Sequence, residues 1–114
     1  MKLKNILAII ITIALIFGLA FYFASRPKII LFYSTSCVHC QKVNDFIAIN
    51  NVKNKVKFRE LEVSQDQANA NLLLSKAKRC GLDTSGGLAV PFLFDGQKCL
   101  TGDVDIIGFF QSKL

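Results

Sequence analysis

An uncharged apolar run near the start of the chain limits its possible folds more than any other feature. From Ile6 to Ala24 only Thr12 and Gly18 interrupt it, and 19 of the first 24 residues are apolar. At about 1.5 Å per residue, a helix over this run is roughly 28 Å long, close to the hydrocarbon thickness of a bilayer. Tyr22 and Phe23 stand where interfacial aromatics sit, and Arg26-Pro27 ends the helix at headgroup level. The expectation is an uncleaved membrane anchor over residues 1–27, with the membrane engaged through residues 6–24. A cleaved signal peptide is the rival reading, because Gly18 and Ala20 are small residues in the right relation for cleavage. Against it, the apolar run continues past that point through Phe21–Ala24.

This segment explains two oddities of composition. Hydrophobic residues make up 52% of the 114, but the excess lies in the leading run. The formal net charge of +6 also concentrates there, because Lys2, Lys4, Arg26 and Lys28 have no acid among them. Residues 29–114 carry ten bases against eight acids, too even a balance for a nucleic-acid binder. They are rich in Phe, Ile, Leu and Val, which excludes disorder, and the length allows one small domain over residues 28–114. The amino terminus, Lys2 and Lys4 oppose Arg26 and Lys28 across the run, a small bias towards the N-terminus inside. Four cysteines, an even number, suit an oxidising compartment. A domain outside the cytoplasm is therefore expected.

Residues 28–34 (KIILFYS) form a continuous apolar run, the mark of a strand buried on both faces. A helix follows, with Cys40, Val43, Phe46, Ile47 and Asn50 on one face and Asn50-Asn51 as a stop. Val56, Phe58, Leu61 and Val63 read as a second strand at a sheet edge, and the slip in alternation between Phe58 and Leu61 suggests a bulge. Ser64 with Gln67 has the form of a capping box opening a helix that buries Ala70, Leu73, Leu74 and Ala77 and stops at Gly81. After a loop over 82–89, strands at 90–94 and 98–101 flank an Asp95-Gly96 hairpin turn. Asp103 is placed to cap a last helix carrying Ile106, Ile107, Phe110 and Leu114. The order β-α-β-α-β-β-α implies an α/β domain whose parallel pair is extended by an antiparallel hairpin into a four-stranded mixed sheet flanked by helices.

Cys37-Val38-His39-Cys40 falls where the first strand hands over to the first helix of this domain. Two cysteines one helical turn apart can close a short disulfide. They are not equivalent, since Cys37 faces the unpaired N–H groups of the helix start, which stabilise a thiolate, while Cys40 is one turn in and more buried. That asymmetry suits one attacking and one resolving thiol. His39, if protonated, would favour the thiolate and so the reduced form, making the pair a better oxidant. The bland readings are an inert disulfide, a solvated surface histidine, or half a zinc site. A zinc ribbon needs a second closely spaced pair, and Cys80 and Cys99 are 19 residues apart.

Pro91 is tolerated only at the start of its strand. A Cys-x-x-Cys after the first strand, Val90-Pro91 opening the third, and this order of elements in residues 28–114 together resemble the thioredoxin superfamily, and its glutaredoxin-like branch best. The resemblance implies a cis proline beside Cys37 and Cys40, with Val90 offering its backbone to an extended substrate. The stretch ILFYSTSC (residues 30–37) looks like the first strand and active-site approach of glutaredoxins. Glutathione contacts would fall at Gly102 and Asp103, although Thr101-Gly102-Asp103-Val104-Asp105 has one Gly and spaced acids where glutaredoxins carry a paired Gly. No cofactor beyond the redox-active disulfide and no resident metal is implied. A histidine before the second cysteine resembles bacterial disulfide oxidants and protein disulfide isomerases.

Cys80 and Cys99 have a bland reading as buried small apolar groups. In an oxidising compartment a structural disulfide between them is the better expectation, with a redox relay to Cys37–Cys40 less supported. The combined expectation is a membrane-tethered thiol–disulfide oxidoreductase. Its partners would be protein thiols and disulfides and a membrane or soluble redox partner. The alternatives are a tethered reductant of one substrate, such as an apocytochrome, and a non-catalytic metal-binding module using Cys37, His39 and Cys40.

Overall fold

Two short strands buried on both faces organise the domain in the computed structural model, which describes residues 2–114. β1 (Ile30–Tyr33) and β3 (Phe92–Phe94) are the inner members of a sheet ordered β2-β1-β3-β4, with β2 (Arg59–Glu62) and β4 (Cys99–Thr101) at its edges. β1 pairs parallel with β2 and antiparallel with β3, and β3 pairs antiparallel with β4. The architecture is thus a mixed four-stranded sheet between helices. The inner strands read as unbroken apolar runs because both faces are covered: Leu31 and Leu93 enter one core, Ile30, Phe32, Phe92 and Phe94 the other.

The first core is closed by α2 (Val38–Ile49) through Val43 and Ile47, and by α5 (Asp103–Ser112) through Ile106 and Phe110. The second is closed by α4 (Gln67–Arg79) through Leu73 and Ala77. Leu72, not Leu74, joins these two at the core margin, and Leu114 is exposed.

The slip in alternation at β2 is not a bulge. Its register against β1 runs unbroken from Ile30↔Arg59 to Tyr33↔Glu62. Val56 and Phe58 pack in the first core, whereas Leu61 and Val63 pack in the second, so the segment changes the face it buries. The stop at Asn50-Asn51 is followed by a short helix the pattern did not announce, α3 (Val52–Lys55), entered through Asn51 in the left-handed conformation. Val52 explains it, because that single turn carries its side chain fully into the first core.

Two caps differ from expectation. Asp66, not Ser64, caps α4, its carboxylate accepting the Asn69 N–H at 3.1 Å, while Ser64 bonds to Glu62. Asp103 is the first residue inside α5, and Gly102 (φ +88°) occupies the cap without a side-chain bond. The end of α4 matches the sequence reading. Gly81 (φ +75°) donates to the Lys78 carbonyl and Leu82 to that of Ala77, a Schellman closure.

α1 (Leu3–Ala24) carries the apolar run and buries none of its residues against the domain. It is long and apolar enough to cross a membrane.

Candidate active site

β1 ends at Tyr33, and the backbone turns through Ser34–Ser36 to deliver Cys37 as the N-cap of α2. Cys37 is extended (φ −100°, ψ 119°), so its side chain folds back over the first turn and Sγ accepts the Cys40 N–H at 3.1 Å. A cysteine here fills the role usually taken by Ser or Asp, meeting a donor that the helix leaves unpaired. The thiol is half-buried and donates to the Val90 carbonyl at 3.4 Å. The Val90–Pro91 peptide bond is cis, and the Pro91 carbonyl accepts the Gly102 N–H at 3.1 Å. Val90, Pro91 and Gly102 therefore form a wall across from Cys37.

Cys40 differs in kind. It is 1% exposed, in the first turn of α2. Burial above all, and then its hydrogen bond with Cys37, pushes its thiol up to about 12. Both cysteines are free thiols in this structure.

His39 is engaged by Asp103. The Asp103 carboxylate accepts from its Nδ1 at 3.1 Å and lies 3.8 Å from Lys42 Nζ, tying the start of α2 to the start of α5. Partial desolvation raises the Asp103 carboxyl, but its own backbone N–H and the His39 and Lys42 charges outweigh this and hold it below its ordinary value. Cys37, His39 and Cys40 do not converge on a point, and among the described residues no three His, Cys, Asp or Glu side chains are gathered to hold a metal.

A depression of about 310 Å³ opens beside Cys37, lined by Tyr33, Ser34, Thr35, Gln41 and Asn44. It shares Tyr33 and Asn44 with a groove of about 470 Å³ that continues along α2 past Ala48 to Asn51. Sequence reasoning missed these polar residues, although positions 37, 41, 44 and 48 share one helical face. It also missed the Asp103–His39 contact, for which a separation of 64 residues leaves no local signal.

Cys80 and Cys99 are disulfide-bonded, with 6.2 Å between their Cα atoms. The bond joins the end of α4 to β4, where Cys99 pairs with Phe94. Phe94 ends β3, whereas Pro91 precedes its start, so the bonded pair lies at the opposite end of the sheet from Cys37. Direct electron relay between the two pairs has no geometric basis.

No family model and no curated protein matches this sequence. Among solved structures, a mutant of the thioredoxin-like protein BC3987 aligns at TM-score 0.52 with 22% identity, over 73% of this chain and 97% of its own. That similarity shows a thioredoxin-like fold. Oxidized glutaredoxin 2 from Chlamydomonas reinhardtii aligns at TM-score 0.43 with 27% identity, over 75% of this chain and 72% of that one. A buckwheat glutaredoxin–glutathione complex gives TM-score 0.45 and 17% identity, over 79% and 84%.

Proposed function

We propose that the chain is a membrane-tethered thiol–disulfide oxidoreductase that exchanges disulfides with exported proteins through Cys37 and Cys40. One observation carries the reading. An accessible sulfur at a helix N-cap sits against a cis Val90–Pro91 wall, with a second, buried thiol one turn behind it. When the pair acts as an oxidant, a substrate thiolate attacks Sγ of Cys37 in the Cys37–Cys40 disulfide, and the bond to Cys40 breaks. The Cys40 sulfur leaves with the electron pair and takes a proton, which its environment strongly favours. The second substrate thiolate then attacks the substrate sulfur of the mixed disulfide and releases Cys37. Two electrons and two protons pass to the pair, and the substrate gains a disulfide.

Exposed Val38 and Val104 flank the His39–Asp103 contact and offer an apolar rim to a protein substrate. The bonded Cys80–Cys99 pair fits an oxidising compartment, and α1 would supply the tether. The Asp103 carboxylate, already engaged by His39 and Lys42, is poorly placed to serve a glutathione amine as well.

The test is paired substitution with a reduced, unfolded protein as substrate. Cys37→Ser should abolish exchange, and Cys40→Ser should accumulate a mixed disulfide through Cys37 visible on non-reducing gels. Undiminished turnover by Cys37→Ser would refute the proposal. A tethered reductant would use the same residues in reverse, and the potential of the pair separates the two. A value near roughly −270 mV marks a reductant, and one near about −120 mV an oxidant.

A further inference from the structure

The sheet end opposite Cys37 carries a second built feature. A pocket of about 430 Å³ lies between the last turn of α1 and the domain, lined by Phe23 and Ala24 of α1 and walled by Phe94 and Gly96. Five cations from separate places in the sequence line it: Arg26, whose guanidinium also donates to the Tyr22 hydroxyl at 3.1 Å, and Lys28 from the linker, Arg59 from the start of β2, Lys76 and Arg79 from the end of α4. No acid lines it, and among the described residues none of the five forms an ion pair. Neighbouring carboxylates are occupied elsewhere. Asp95 accepts the backbone N–H groups of Gln97 and Lys98, and Glu60 pairs with Lys53 at 2.9 Å.

The arrangement is held in place. Lys76 and Arg79 lie over the ring of Phe94, at 4.8 and 5.8 Å from its centroid. The Cys80–Cys99 disulfide fastens the end of α4 to the strand paired with Phe94. Gly96 lets the hairpin turn approach the linker, since a Cβ there would sit 3.3 Å from Lys28 Cβ. Five unpaired like charges around one cavity repel one another unless an anion joins them.

We infer that this pocket binds the phosphate headgroup of an anionic phospholipid and seats the domain on the membrane with Cys37 facing away. The lipid is the occupant because Phe23 and Ala24, at the end of the segment long enough to span a bilayer, form one wall of the pocket. That wall lies at headgroup depth when α1 is inserted. Arginine and lysine supply charge-assisted donors to a phosphate from three sides. The register fixes the orientation: Ile30 pairs with both Arg59 and Phe94 at the membrane end, and Tyr33 leads to Cys37 at the other. The inference takes α1 as the membrane segment but does not depend on the redox chemistry.

The experiment uses the full chain in nanodiscs of phosphatidylcholine with increasing phosphatidylglycerol, read by amide hydrogen exchange at residues 76–80 and 95–98. Phosphatidylglycerol should slow exchange at both segments. In Lys76→Gln/Arg79→Gln the amount needed for half-maximal protection should rise on the order of 25-fold, at about fivefold per cation near an anionic surface. Lys76→Arg/Arg79→Lys should restore it, showing that charge rather than folding is read. Protection that is equal in both lipids overturns the pocket alone. Equal protection by inorganic phosphate in phosphatidylcholine discs overturns the lipid assignment. A chain that fails to enter discs of either lipid overturns the tether, and the pocket's role with it.

Discussion

Cys40 shows how position within one helical turn gives two identical side chains different surroundings. Because its folded thiol is held up to about 12, native protein at neutral pH should react with iodoacetamide at Cys37 and not at Cys40. Peptide mass mapping of native and unfolded samples checks this, and equal labelling of the two would contradict it. The same shift makes stability depend on pH. The fold favours the protonated thiol, so that contribution is whole below the ordinary thiol value of about 8.5 and is lost as pH rises towards about 12. Reduced protein should therefore lose stability faster than Cys40→Ala across this alkaline window in denaturant titrations. That Cys40 is the more buried of the two was readable from their spacing and the helix start alone. What His39 does was not, because its partner Asp103 arrives through the packing of α2 on α5.

At the scale of elements, the close of α4 is where sequence and structure agree most fully. Gly81 supplies a left-handed turn that other residues adopt only with strain, and Lys76, Lys78 and Arg79 fill the last turn before it. The disulfide then ties this end to β4 across a separation of 19 residues. Replacing Cys80 and Cys99 together by Ser should cost roughly 3 kcal/mol, or on the order of 15 °C in Tm by calorimetry. Alkylation of Cys37 below the transition should keep its wild-type rate, because the bridge is at the far sheet end. A slowed rate would mean the two ends are coupled. Local signals of this kind made the element order legible. They failed at β2, where alternation was read as if the segment served one core, although Phe58 and Leu61 serve different ones. They failed again at α3, which exists to bury Val52 and has no length over which a period could show.

At the scale of the whole molecule, the apolar run and the domain are separate solutions to burial. The radius of gyration is 18.9 Å, against about 13 Å for a compact chain of this length. The excess comes from α1, none of whose residues is buried. Among the described residues, both cores are built from residues beyond the linker, from Ile29 to Phe110. A chain starting at Lys28 should therefore fold without α1 and stay soluble. It should show a radius of gyration near 12 Å by small-angle scattering and melt within a few degrees of the full chain in detergent. Its exchange with a soluble substrate should be unchanged, since Cys37, Val90 and Pro91 lie at the sheet end remote from the linker. Lost with α1 would be the Phe23–Ala24 wall and Arg26, and with them the lipid preference of the basic pocket. A truncated chain that is unfolded, or that melts far below the full chain, would show that α1 supports the fold of the domain.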